Sequence, residues 1–447
     1  VSHPLAPLPR RAAVLGPVLP LAAVLALPAL SPAGHGAGPA DVCSGLVVGY
    51  CVVRLLREGR RPLSPAAALV LGLPVVGIAL AALGASSPAA GLAGMARYLQ
   101  IFVLVPAAVL LLLRDRRDFR VLAWTFVGLA LCEGAVGVHQ YVTRTGASYQ
   151  GEDIRAVGTF GAQDVMGMAS VVALGLVCAA GIALGRAPVW QRAAATGCAL
   201  VLLAPLAVSF SRGAWIATVL TCAVQLALAG LRRALKVAAA LAAAGVVLVG
   251  GFGVGTAQLQ ERIDSIAQVT DAPDQSVVDR YTLWSSATGM WRDHPLTGVG
   301  LKNFPEYRDG HATLALSSGS DIEGAGAEYH KQALLSPHNM YLLVLSEQGL
   351  VGLLTLAGGW LALLLCGVRR LLRVRRGGPG LDCALVACGL LVWVLTDFLY
   401  GDIGGPSTVV TAMALGLAAW WALAGGERRD ALSPGGVRER VEEAVAR

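Results

Sequence analysis

The sequence predicts an all-α, polytopic membrane helix bundle of about 12 transmembrane helices with one large extracytoplasmic, partly helical loop. Three observations carry that reading. Apolar runs close to the roughly 20 residues a helix needs to cross a bilayer recur along the chain. Only 14% of the 447 residues are charged while 55% are hydrophobic, too little polar surface for a soluble globular protein of this length. Basic residues gather in alternate loops, which is the positive-inside pattern.

Taken in order, Arg10-Arg11 precede an apolar run at 12–30 that has the form of a signal peptide. The same pattern recurs downstream and no separate exported domain follows, so it reads as an uncleaved first span. Further runs lie at 41–56, 65–85, 92–113, 119–142, 163–184, 192–210, 214–231, 235–255, 338–368, 381–400 and 406–424. This divides the chain into an N-terminal bundle of about nine spans (1–255), an extracytoplasmic loop (256–337), a C-terminal bundle of about three spans (338–424) and a cytoplasmic tail (425–447). If Arg10-Arg11 are cytoplasmic and the spans alternate, the cytoplasmic segments collect 25 of the 35 basic residues, with both termini inside. The tail is at most a short mixed-charge helix.

The formal charge of +7 does not mark a nucleic-acid patch, because most arginines sit in short clusters between apolar runs and the only lysines are Lys236, Lys302 and Lys331. None of these lysines stands in a phosphate-binding loop. All nine cysteines fall in or beside apolar segments and read as small packing residues. No metal is indicated, since His294, His311 and His330 show no helical ligand spacing with His338, and Asp321 and Glu323 are a weak pair in a Gly/Ser-rich stretch. No cofactor is expected.

Within the loop, Ser276-Val277-Val278-Asp279 is a helix-start pattern with Ser276 as cap. Tyr281, Trp284, Thr288 and Trp291 then share one face, expected to lie against the membrane or the mouth of the bundle, and His294-Pro295 closes the run. Arg280 in the first turn is an anion-binding candidate or a snorkelling arginine. Ser211-Arg212-Gly213 links two spans with almost no linker, and Arg155 precedes another. An arginine held at membrane depth costs about 3 kcal/mol or more unless paired, so both are candidates for binding an anion. Glu133, Asp164, Glu347 and Asp397 are similarly costly and are expected to pair with arginines such as Arg97. Ser336 as cap and Pro337 at the first helical position would place His338 just inside a helix start, where the dipole disfavours imidazolium. There it is either a base or a histidine that only hydrogen-bonds the loop.

In this order, around one external loop, these pieces resemble the O-antigen ligase and polymerase superfamily of multispanning bacterial glycan transferases. The matching stretches are Arg155 with Gly158-Thr159-Phe160-Gly161, Ser211-Arg212-Gly213, and Arg280 with its Trp-containing helix. They continue with His294-Pro295-Leu296-Thr297-Gly298-Val299-Gly300, then Pro337-His338-Asn339-Met340-Tyr341 and Glu347-Gln348-Gly349-Leu350-Val351-Gly352. The resemblance covers residues 155–352. It departs at Ala162-Gln163-Asp164, where the family often carries an Asn-Pro-Asn-like turn.

The resemblance implies a metal-independent glycosyltransferase or ligase of polysaccharide or lipopolysaccharide assembly in the bacterial cytoplasmic membrane, with its site facing outside. The donor would be a glycan on undecaprenyl diphosphate; the acceptor would be a glycan, lipid or protein hydroxyl. His338 would be the base, Arg212, Arg280 and Arg155 the diphosphate ligands, and Asn339, Glu347 and Lys302 supporting groups. A polymerase using a second lipid-linked glycan as acceptor is the alternative within enzymes. Outside them the alternative is a non-catalytic lipid-linked glycan transporter, whose binding residues would lie nearer the midplane.

Overall fold

The computed structural model describes residues 21–23, 39–58, 63–149, 153–161, 164, 166–230, 275–316, 320–324, 330–332, 334–375, 380–405 and 407–424. After the helical residues 21–23, the described part of the chain forms α1 (Pro39–Glu58), α2 (Pro65–Leu83), α3 (Pro88–Leu112), α4 (Arg116–Thr143), α5 (Gly167–Leu184), α6 (Val189–Val208) and α7 (Arg212–Ala229). The loop contributes α8 (Gln275–Asp293) and α9 (Phe304–His311), followed by α10 (Met340–Arg375), α11 (Leu381–Asp397) and α12 (Thr408–Leu423). Eight of these are long and apolar enough to cross a membrane, namely α1 to α7 and α10. α11 and α12 are shorter, apolar and largely buried among them. The expected spans at 12–30 and 235–255 lie outside the described residues, apart from 21–23, as does the tail.

Local chemistry sets the helix starts. Ser64 and Ser87 accept hydrogen bonds from Ala67 and Ala90 with proline at the first turn. Asp115 accepts from the N–H groups of Arg117 and Asp118. Each cap satisfies donors that the helix itself leaves open. α5 is the central strut, buried along almost its whole length between α4, α6 and α11. Gln225 on α7 sends its amide N–H to the carbonyls of Val177 on α5 and Leu385 on α11, both at 3.0 Å, a polar tie between three helices inside the apolar layer.

Chain connectivity sorts the loops to two ends. One end carries the α2–α3, α4–α5, α6–α7 and α11–α12 turns, α8, α9 and the start of α10. The opposite end carries Arg114, Arg116, Arg117, Arg120, Arg186, Arg192 and the arginines from Arg369 to Arg375. There Arg120 pairs with the buried Asp382, and Arg370 lies 4.3 Å over the Trp421 ring.

Among the described residues four short strands add to the helical fold: β1 (Ala147–Tyr149), β2 (Asp153–Arg155), β3 (Ser320–Gly324) and β4 (His330–Gln332). They form an antiparallel sheet in the order β2-β1-β3-β4, with Ala147 opposite both Arg155 and Gly324. The sheet ties the α4–α5 loop, and with it Arg155, to the large loop.

Among the described residues α10 is the longest helix, and it is broken at Gly349, whose φ of +65° and ψ of −164° lie outside helical space. Segment 295–301 lies along that break. Val299 and Gly300 donate to the carbonyls of Ser346 and Glu347, while Leu350 and Val351 donate to those of Pro295 and Leu296. The two glycine-rich stretches are therefore partners. The joint is also fixed to the α2–α3 turn, where Leu301 donates to the Ala81 carbonyl and the Asn303 side chain bridges Ser86, Gly84 and Val299.

One sequence expectation about α8 changes. α8 begins at Gln275, so Ser276 lies inside the helix rather than capping it. Its buried face carries Thr282, Leu283, Ser286, Ala287 and Met290, while Tyr281 is 56% exposed. The aromatic stripe is offset from the packing face because small and aliphatic side chains meet α10, and Trp284 reaches sideways to the chain before His338.

Candidate active site

His338 precedes α10 rather than lying within it. The helix starts at Met340 and its cap is Asn339, whose side-chain oxygen accepts from the Leu342 N–H at 3.1 Å. His338 instead adopts φ +48°, a left-handed conformation that costs a non-glycine residue about 1–2 kcal/mol. Fixed partners on both sides hold it there. The Trp284 indole donates to the Pro337 carbonyl at 2.9 Å. On the other flank Asn339 donates to the Leu399 carbonyl at 3.1 Å, and the Met340 N–H is shared between the carbonyls of Phe398 and Gly401. The Tyr341 hydroxyl donates to the Leu395 carbonyl at 2.7 Å. The turn between α11 and α12 thus forms the floor under the histidine.

That turn carries Asp402, which had no role in the sequence reading. Ser336 donates its hydroxyl hydrogen to Asp402 and accepts the His338 N–H at 3.4 Å. Burial pushes the His338 pKa below the ordinary imidazole value; the Asp402 carboxylate opposes that shift and the Arg280 guanidinium adds to it. The result is an imidazole biased toward its neutral, proton-accepting form, flanked by one carboxylate and one arginine. The dipole of α10 is not needed to explain it.

Arg280, half-buried on the first turns of α8, lies within electrostatic reach of His338 and of Asp397 at the end of α11. Arg212 is the first residue of α7, positioned by the Ser211 cap, which accepts from the Ala214 N–H at 3.3 Å. Its neighbour Gly213 faces Tyr400, where an added Cβ would come within 3.2 Å of the tyrosine Cβ. Arg212 therefore emerges beside the same α11–α12 turn that supports His338. Arg155 ends β2, and the adjoining Ala156 donates to the Val208 carbonyl at 3.0 Å, so it stands next to the α6–α7 turn.

The Gly158–Phe160 turn is clamped to α4. Glu133 accepts from the Thr159 N–H and hydroxyl at 3.0 and 2.7 Å, and Gln140 accepts from the N–H groups of Val157 and Gly158. Asp164, in the departing tripeptide, accepts the Ser407 N–H at 3.1 Å and fixes the far side of the α11–α12 turn. Its burial raises its pKa. Glu347 is buried, accepts from the Phe304 N–H at 3.3 Å, and belongs with exposed Lys302 to the joint between the loop and the α10 break.

The expected carboxylate–arginine pairing changes for Glu133 and Glu347, while Arg97 acts electrostatically on Asp164 and Arg280 on Asp397. Glu133, Asp164 and Glu347 are held by backbone and hydroxyl donors, because loop N–H groups reach them first. Arg97 pairs with Asp41 and donates to the Gly405 carbonyl at 2.8 Å. Among the described residues no group of three or more His, Cys, Asp and Glu side chains is arranged to hold a metal ion.

Fold and site together define a polytopic membrane protein that gathers a histidine, arginines and buried acids at one end of its helices. Residues 197–357 match the family model described as O-antigen ligase. Over those residues the chain is similar to the O-antigen ligase family, which supports a membrane enzyme of the ligase or polymerase type. The match spans Arg212, Arg280, the 294–300 segment, His338 and the α10 break, while Arg155 lies before it. No curated protein matches the chain.

Proposed function

We propose that the protein transfers a glycan from an undecaprenyl diphosphate carrier to an acceptor hydroxyl on the outer face of the bacterial cytoplasmic membrane, as an O-antigen ligase-like enzyme. The carrying observation is the left-handed, half-buried His338, biased toward its neutral form between Asp402 and Arg280. The acceptor oxygen attacks the anomeric carbon as an imidazole nitrogen takes its proton. The bond from that carbon to the phosphate oxygen breaks, and the diphosphate leaves with the electron pair. Direct displacement inverts the anomeric centre.

Arg280 and Arg212 neutralise the charge that grows on the leaving diphosphate, and Arg155 is a third ligand from across the α6–α7 turn. Guanidinium suits this role because it binds phosphate oxygens in bidentate fashion and stays charged near lipid. Asn339 positions His338 by capping α10. Glu347 and Lys302 act indirectly, by seating the loop. The lipid-linked donor brings the energy of the reaction with it.

The location of these groups at the helix ends, rather than at the bundle's middle, favours an enzyme over a transporter. The test uses purified protein, a synthetic undecaprenyl diphosphate glycan and a range of acceptors, with chelator and without nucleotide. Product from the parent and none from His338→Ala is the expected result. Translocation of donor with no glycosidic product would favour the transporter. A ladder made from donor alone would mean polymerase, a single transfer to a distinct acceptor ligase.

A further inference from the structure

A second site lies at the arginine-rich end. Between the first turns of α4 and the start of α6 is a cavity of about 530 Å³, lined by Arg117, Arg120, Val121, Trp124, Thr125 and Gln191. Its volume falls within the roughly 300–1,000 Å³ of small-ligand sites. Arg117, Arg120, Val121 and Trp124 are spaced i, i+3, i+4 and i+7 and so share one helical face. That face grades from charge at the helix start to an apolar wall two turns deeper.

The acids nearby are already engaged. Asp115 caps α4 through the N–H groups of Arg117 and Asp118 at 2.8 and 2.9 Å. Asp118 accepts from Arg114 at 3.0 Å. Asp382, 1% exposed, accepts from two nitrogens of Arg120. Among the described residues the exposed Arg117 guanidinium is in no ion pair, and although Asp115 also acts electrostatically on Arg120, the four arginines Arg114, Arg116, Arg117 and Arg120 outnumber the three acids Asp115, Asp118 and Asp382, so the hollow presents a net positive charge. α6 leaves much of its surface unpacked, with Trp190 69% exposed one residue before Gln191 and Leu200, Val201 and Leu203 exposed further along. An exposed tryptophan at the head of such an apolar helix marks the level of the lipid headgroups.

We propose that this cavity binds the headgroup of an anionic phospholipid, a monoanionic phosphodiester of the phosphatidylglycerol class. Arg117, with Arg120 beside it, takes the phosphate oxygens. Thr125 and Gln191 offer partners for headgroup hydroxyls, and Val121 and Trp124 wall the first acyl carbons. A basic pocket between membrane helices, open to the acyl layer, is suited to a lipid phosphate in a way it is not to a soluble anion.

The test measures lipid retention by native mass spectrometry on the full detergent-solubilised chain, comparing phosphatidylglycerol with phosphatidylcholine. Arg117→Gln is the variant; Arg120 is left intact because its loss would strand the buried Asp382. Arg373→Gln, at an exposed arginine of the same end, is the control. The parent should prefer phosphatidylglycerol by about tenfold or more, the scale of one charge-assisted contact. Arg117→Gln should lose most of that preference and Arg373→Gln should keep it. Equal retention of both lipids by the parent, or equal losses in the two variants, would overturn the site. Displacement of phosphatidylglycerol by inorganic phosphate at matching concentration would show that it takes a soluble anion instead.

Discussion

His338 is poised by its neighbours rather than by its helix, and that fixes the pH behaviour of the proposed transfer. A base works when neutral, so activity falls as pH drops through its pKa. Burial and Arg280 hold that pKa below the ordinary value of about 6.5. The acid limb of the parent profile is therefore expected below pH 6.5. Asp402→Asn removes the carboxylate that stabilises imidazolium, so the limb should move to still lower pH, with a slower plateau from the weaker base. A limb that stays in place in Asp402→Asn would show that Asp402 does not act on His338.

His338→Ala should lower the rate by about 10²- to 10⁴-fold while donor still binds, and His338→Gln should not restore it, because an amide cannot take the proton. Arg280→Ala and Arg212→Ala should each weaken transfer strongly. Their lysine variants should recover only part of it, since an ammonium cannot reproduce the bidentate contact. Full activity in both alanine variants at normal protein levels would remove those arginines from the mechanism.

At the scale of elements, the joint between segment 295–301 and the α10 break depends on two glycines. Gly298 has φ +69°, and an added Cβ would stand 2.4 Å from the Glu347 carbonyl carbon. Gly349 has φ +65°, and its Cβ would meet the Leu296 carbonyl at 2.3 Å. Backbone cannot retreat as a flexible side chain can, so Gly349→Ala adds a clash to about 1–2 kcal/mol of left-handed strain. Its thermal midpoint in detergent should fall by several degrees. Gly358→Ala, in the same helix with open space around it, should leave the midpoint unchanged or raise it slightly. Equal midpoints for the two variants would mean that the joint does not contribute to stability.

This joint also shows where the sequence was readable. Apolar run lengths located the described membrane helices, and proline and serine placed several helix starts. The two glycine stretches were visible as motifs, but their mutual pairing is a long-range contact that no local pattern encodes. Asp402 was hidden for the same reason: an acid in a Gly-rich turn between apolar runs looks like a solvated loop until Ser336 is seen to bridge it to His338. Ser-Pro reads as cap and first turn and so sets His338 one turn too deep, whereas Asn339 takes the cap. A left-handed histidine is set by tertiary partners.

The whole molecule is polarised, with loops and the histidine site at one end and a belt of arginines at the other. Arginine left on the translocated side is disfavoured during insertion, so the belt from Arg114 to Arg120, Arg186, Arg192 and Arg369 to Arg375 is expected in the cytoplasm. That orientation puts His338 outside, where a flipped lipid-linked glycan would wait. Single cysteines at Glu306 on α9 and Arg373 near the end of α10 separate the two ends, both positions being exposed. The exposed native Cys132 is replaced by serine, and signal is read against that background. A membrane-impermeant thiol reagent on intact cells should label Glu306→Cys, and should reach Arg373→Cys only after the membrane is opened. The reverse pattern would turn the molecule over. It would leave the arginines around His338 facing the cytoplasm, and transfer on the outer face would then be ruled out however the purified enzyme behaved.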